Sequence, residues 1–166
     1  MRFFILICVL VYSVSRYHDL SFLYLREGCG WAGYVAYPLV HASLAHLFVN
    51  TLTILSFWER MTKEERSALL CSFALLFPLA TYLSLSVKPT IGASGVAFSI
   101  IGVYLSSLLI HHGYKPFLKS LSLVGVIMMA QYIMAGESTN CVMHVSSLLL
   151  SMPLSYLFIR WRKRRS

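Results

Sequence analysis

Acidic side chains are scarce in this sequence. There are six among 166 residues, and all of them (Asp19, Glu27, Glu59, Glu64, Glu65, Glu137) lie in connections or at the ends of apolar runs. Hydrolysis by two buried carboxylates sharing one proton is therefore excluded, because no acid sits within an apolar interior. An HExxH zinc motif is also missing. The four cysteines, Cys8, Cys29, Cys71 and Cys141, stand in no CxxC or other metal-ligand spacing. Charged residues of either sign make up only 12% of the chain, against roughly 25% in an ordinary soluble domain. That is too little polar surface to clothe a water-soluble globule.

What fills the chain instead is hydrophobic, 58% of all residues, gathered into runs near the ~20 residues that a helix needs to cross the hydrocarbon core. Six such segments can be delimited: 3–17 (an apolar stretch Phe3–Val14 completed by interfacial Tyr12 and Tyr17), Leu44–Trp58, Ala68–Val87, Gly92–Ile110, Phe117–Ala135 and Cys141–Ile159. The expected fold class is an all-α membrane protein, one transmembrane domain over residues 1–166 with the lipid bilayer as its solvent. The first segment also carries the marks of a signal peptide, with Arg2 before an apolar core and small residues around Ser13 and Ser15. A retained span is expected, because six spans satisfy the charge distribution better than five.

The net charge of +8 would suit a nucleic-acid partner, but its placement does not. The cations cluster at the ends of apolar runs, most densely in Arg160-Trp161-Arg162-Lys163-Arg164-Arg165, the mark of a cytoplasmic membrane face. With both termini inside, the inner side holds eleven Lys and Arg residues and the outer side three, Arg16, Arg26 and Lys88. A multi-pass protein of the plasma or inner membrane is expected, with both termini cytoplasmic. The stretch from His18 to Ser43 carries Phe22, Trp31, Tyr34 and Tyr37 with few charges, and is expected to lie at the outer interface. Cys29 and Cys141 fall on that same side, so a disulfide between them is left open. No repeat is evident, and oligomeric state has no signal in the sequence.

Polar residues inside apolar runs are costly and point to function by default. Three groups qualify: His41, His46 and Asn50 in HASLAHLFVN, Ser94 in GASG, and His144 in CVMHVSS. In the six-span topology they fall at one shallow outer depth. His46 and Asn50 are four apart, hence on one helical face. A lone serine in a span is usually a packing residue, as Ser99, Ser106, Ser107, Ser146 and Ser147 illustrate, and GASG alone is mostly a packing motif. Their combination suits nucleophilic chemistry: an activatable hydroxyl, a base, and further hydrogen-bond donors. A three-histidine metal site from His41, His46 and His144 is the competing arrangement, but it has no carboxylate to orient its ligands. Neither metal nor cofactor is expected.

These residues resemble the motifs of the rhomboid family of intramembrane serine proteases. HASLAHLFVN resembles the family's second-span motif, GASG its Gly-x-Ser-Gly nucleophile motif, and His144, fifty residues after Ser94 in the last span, its base. Gly102 falls where the family tends to keep another glycine. The resemblance implies a six-helix bundle with a water-filled cavity and a Ser94–His144 dyad. His46, Asn50 and the Ser94 N–H would form an oxyanion hole supported by His41, with Phe98, Gly92 and Gly95 packing around the site. The implied substrates are single-span membrane proteins cut near their outer ends.

The chain departs from the family pattern at several positions. Met143 replaces a small residue before the base, Ser147 a glycine after it, and Phe98 a stacking tyrosine. Trp31 is followed by Ala32 rather than by arginine. The rival reading is a catalytically silent rhomboid-like protein that binds or escorts membrane clients. Ser94 and His144, both present, argue for the protease.

Overall fold

The computed structural model describes residues 1–75, 77–84, 89–135 and 140–165. Among these the chain forms eight α-helices: α1 (Arg2–Ser15), α2 (Trp31–Ala36), α3 (Leu44–Trp58), α4 (Lys63–Leu75), α5 (Phe77–Ser84), α6 (Ser94–His112), α7 (Tyr114–Ala135) and α8 (Cys141–Lys163). Two 3₁₀ turns, Ser21–Leu23 and Tyr37–Leu39, flank α2.

The centre of the molecule is α6. Its sequence is apolar or small on every side, and a helix without a polar face belongs inside a bundle. Every residue from Ser94 to Val103 is buried. α8 lies along it most extensively, with α3, α4 and α7 around the remainder. The α6–α8 approach is set by small residues. A Cβ at Gly102 would collide with Ser151 Oγ and stand 2.8 Å from the Leu148 carbonyl oxygen. Ser106 Oγ crosses the same seam, donating to the Met152 carbonyl at 2.8 Å. Close backbone approach through small residues is how membrane helices associate where apolar burial no longer drives it.

Among the described residues two helices, α6 and α8, are long and apolar enough to cross a membrane alone. Up to four spans result if two bent pairs each count as one: Trp31–Leu39 with α3, bent by 81°, and α4 with α5, bent by 50°. The outward face of α3 carries Leu44, Phe48, Val49 and Leu52, all exposed, as expected of a surface solvated by lipid.

Several expected boundaries move. The third segment, placed at 68–87, begins five residues earlier at Lys63, because Thr62 and Glu65 form a capping box. Glu65 N–H donates to Thr62 Oγ1 at 3.2 Å and Thr62 N–H to Glu65 Oε2 at 2.6 Å. The same segment is two inclined helices rather than one, with Pro78 near the start of α5, where its missing N–H costs least. Its expected end at 85–87, with Lys88 and Glu137, lies outside the described residues. The first helix stops at Ser15, leaving Tyr17 beyond it and exposed. α7 starts three residues before Phe117, and α8 runs past Ile159 to Lys163. All four cysteines are free, so Cys29 and Cys141 are not paired.

The stretch between α1 and α3 is not uniformly interfacial. Trp31 and Phe22 are exposed, but Leu25 and Tyr37 are fully buried and Pro38 is buried. With Ala80 and Met143, Leu25 and Tyr37 form a small core of their own.

Candidate active site

The chain leading into Ser94 is pinned by backbone hydrogen bonds to this first loop. Thr90 and Leu25 exchange a pair of bonds, at 2.8 and 3.0 Å. Gly92 N–H donates to the Tyr37 carbonyl at 2.9 Å. Ala93 N–H then donates to His41 Nε2 at 3.4 Å. Ser94 follows as the first residue of α6, buried, with its backbone N–H in the first turn, where no helical carbonyl is available to accept it.

Gly92 adopts φ +103°, a left-handed conformation that favours glycine. A Cβ there would lie 2.5 Å from His46 Cε1, 2.7 Å from His46 Nε2 and 3.4 Å from Asn50 Nδ2. The motif glycine therefore makes room for the imidazole and amide of α3. His46 sits in the first turn of that helix, whose N-cap Ser43 accepts from His46 N–H at 3.1 Å. Its ring meets the His41 ring edge-on, centroids 5.1 Å apart. Asn50, one turn further along α3, is buried, and its Nδ2 has no hydrogen-bond partner among the described residues. A buried amide donor left unpaired in a packed interior costs free energy and calls for an explanation.

His144 enters from the opposite side, on the first turn of α8. Asn140 caps that helix, accepting from Met143 N–H at 3.0 Å. The same side chain donates to the Ser84 carbonyl and to Thr90 Oγ1, so the start of α8 is tied to the strand of chain that leads to Ser94. The His144 ring stacks on Phe98, centroids 4.5 Å apart and planes 20° from parallel. Phe98 follows Ser94 by one helical turn, so the His144 ring lies against the first turns of α6. Neither the Ser94 hydroxyl nor the His144 ring makes a hydrogen bond among the described residues. Catalytic hydrogen bonds are often long in the absence of substrate.

The structure thus gathers His41, His46, Asn50 and Gly92 at the entry to α6, whose first residue is Ser94 with Gly95 buried beside it, and sets His144 against Phe98 one turn along the same helix. Among the described residues, no three His, Cys, Asp or Glu side chains are arranged to hold a metal ion. Sequence reasoning missed Thr90, Tyr37 and Asn140 as the framework of the site. Asn140 did carry a signal, an asparagine immediately before an apolar helix.

A family model, the rhomboid domain, matches residues 28–161. The chain belongs to the rhomboid family. It is also similar to "Putative rhomboid protease YdcA" of Bacillus subtilis (strain 168), 26% identical over 143 residues, which cover 81% of this chain and 71% of that protein. Family membership and the apolar helices make it an integral membrane protein.

The departures from the rhomboid pattern can be placed. Met143 is fully buried against the first loop and α5. Its Sδ accepts from Tyr37 Oη at 3.7 Å and from Ser147 Oγ at 3.5 Å. The larger side chain and the added hydroxyl thus partner each other, while a close α6–α8 approach lies further down, at Gly102. Phe98 keeps the stacking ring without a phenolic oxygen. Trp31 opens α2 with its side chain exposed.

Proposed function

We propose that this rhomboid-family protein is an intramembrane serine endopeptidase working through a Ser94–His144 dyad. The observation that supports this reading is the Phe98–His144 stack, which sets the imidazole against the first turns of α6, the helix that Ser94 begins. In the reaction, His144 takes the Ser94 hydroxyl proton as Oγ attacks the peptide carbonyl carbon. Negative charge develops on the carbonyl oxygen beside the Ser94 N–H, the Asn50 amide and the His46 ring, donors fixed before the reaction begins. The Asn50 Nδ2 that lacks a partner at rest gains one there. His144 returns its proton to the leaving amine, and water then releases the acyl group with the same imidazole as base. No carboxylate is bonded to an imidazole among the described residues, so the system is a dyad. His41 acts through the backbone, holding Ala93 N–H and hence the entry to α6.

In this reading α1, α3, α4 with α5, α6, α7 and α8 are six spans with both termini cytoplasmic, in the plasma or inner membrane. The site then opens to the outer side, and substrates are single-span membrane proteins cut near the outer ends of their helices. The test is cleavage of such a substrate in liposomes by the purified protein, with Ser94→Ala and His144→Ala each inactive and still folded. Turnover by Ser94→Ala would overturn the assignment. A catalytically silent client-binding protein would bind the substrate and leave it intact. For orientation, a cytoplasm-dependent reporter is active after Ser166 and inactive near Gly136; the reverse would invert the topology.

A further inference from the structure

At the end of the bundle opposite Ser94, a cavity of about 400 Å³ opens between the start of α4, the end of α6 and the last turns of α8. Its lining is cationic: Arg162, Lys163 and Arg165 of the α8 tail, with His111 at the end of α6. Among the described residues that line it, Glu64 is the one carboxylate, and Trp161 supplies an aromatic wall.

Among the described residues, neither guanidinium group is paired with an acid. Arg162 lies over the Phe158 ring, 5.8 Å from its centroid, and Arg165 over Trp161 at 4.2 Å. Among the described residues the ion pair is Arg2 with Glu59, elsewhere on this end of the bundle. A guanidinium resting on a ring face keeps its N–H edges available, and a planar fork of donors matches phosphate oxygens. The negative end of the α8 dipole opposes an anion here, so these side chains must supply the attraction. Exposed apolar residues on α8 nearby, such as Leu157, and the indole of Trp161 continue this wall into lipid-facing surface. An anion with an acyl tail meets both halves of that surface, and a free ion meets only one.

We infer that this cavity is a binding site for the phosphate group of an anionic lipid, the acyl chains lying along α8. The inference rests on the proposal that this end of the bundle meets the inner leaflet, where anionic headgroups draw basic residues. Binding measured in detergent does not depend on which leaflet that is, so the orientation and the lipid site fail separately.

The test is native mass spectrometry of the full chain in a non-ionic detergent, titrated with phosphatidylglycerol, phosphatidylcholine or inorganic phosphate. Phosphatidylglycerol is expected to bind in preference to phosphatidylcholine, and excess inorganic phosphate to displace it only weakly. Arg162→Gln with Arg165→Gln should raise its apparent Kd roughly thirtyfold, about fivefold for each cation removed. Arg160→Gln with Arg164→Gln removes the same charge outside the cavity and should shift it less than about threefold. Equal losses in the two pairs, or no preference over phosphatidylcholine, would overturn the site. Complete displacement by inorganic phosphate would overturn the lipid as its source. Should the first pair fail to fold, Glu64→Gln decides: loss of the lining carboxylate tightens phosphatidylglycerol binding, and unchanged or weaker binding contradicts the proposal.

Discussion

Phe98 lies face to face with His144, ring centroids 4.5 Å apart, one helical turn along α6 from Ser94. Stacking of this kind fixes the plane of an imidazole without a hydrogen bond, which matters where no carboxylate among the described residues does so. Phe98→Ala should therefore lower kcat by between about tenfold and a hundredfold through misplacement of the base. Phe98→Tyr keeps the ring and should stay within a few-fold of wild type. Peptidase assays of the two variants, with thermal unfolding in detergent as a folding check, decide this. An unchanged rate in Phe98→Ala would show that the ring does not position His144.

Gly92 is constrained twice, by its φ of +103° and by the His46 ring in the space a Cβ would take. Gly92→Ala must displace the imidazole or twist the chain that leads into Ser94, and either change moves a group proposed as an oxyanion donor. The expected result is a loss of activity of at least about a hundredfold, the scale set by removal of one such donor. Covalent reaction with a small fluorophosphonate should slow in parallel. Wild-type rates in Gly92→Ala would mean that His46 takes no part in the reaction.

Asn50 separates the catalytic role from the structural one through the sign of its effect on stability. A buried amide that is bonded at rest destabilises the fold when removed, because its partner is left orphaned. The Asn50 Nδ2 has no such partner among the described residues, so Asn50→Ala should leave the unfolding temperature in detergent unchanged or slightly raised. The rate should still fall ~10²–10³-fold. A large fall in unfolding temperature with little loss of rate would make Asn50 a packing residue.

The parts of this protein legible in its sequence are those where a side chain is expensive in its surroundings. Ser94, His46, Asn50 and His144 stand out because hydrocarbon offers such groups no partner; in the structure Ser94, Asn50 and His144 are buried, and His46 and Asn50 pack beside Gly92. α3 coincides with its expected bounds, since its apolar run starts at a serine cap and ends before charged Glu59. The helix of the third segment begins before its apolar run because Thr62-x-x-Glu65 caps it, and polar residues can begin a helix that later enters the membrane. The framework of the site was invisible for a different reason. The Leu25–Thr90 and Tyr37–Gly92 bonds are between backbone groups and leave no mark on residue type. The Asn140–Thr90 bond joins residues fifty apart, which a single sequence does not pair. The aromatic first loop looked interfacial throughout because Tyr37, a residue suited to an interface, is used here as core.

The most direct measurement is covalent labelling of the purified protein with a fluorophosphonate, followed by peptide mass spectrometry to locate the adduct. A single adduct on Ser94 is expected, absent from Ser94→Ala and reduced at least about a hundredfold in rate in His144→Ala, because nucleophile and base act as a unit. An unlabelled Ser94, or labelling that proceeds at full rate without His144, would contradict the dyad.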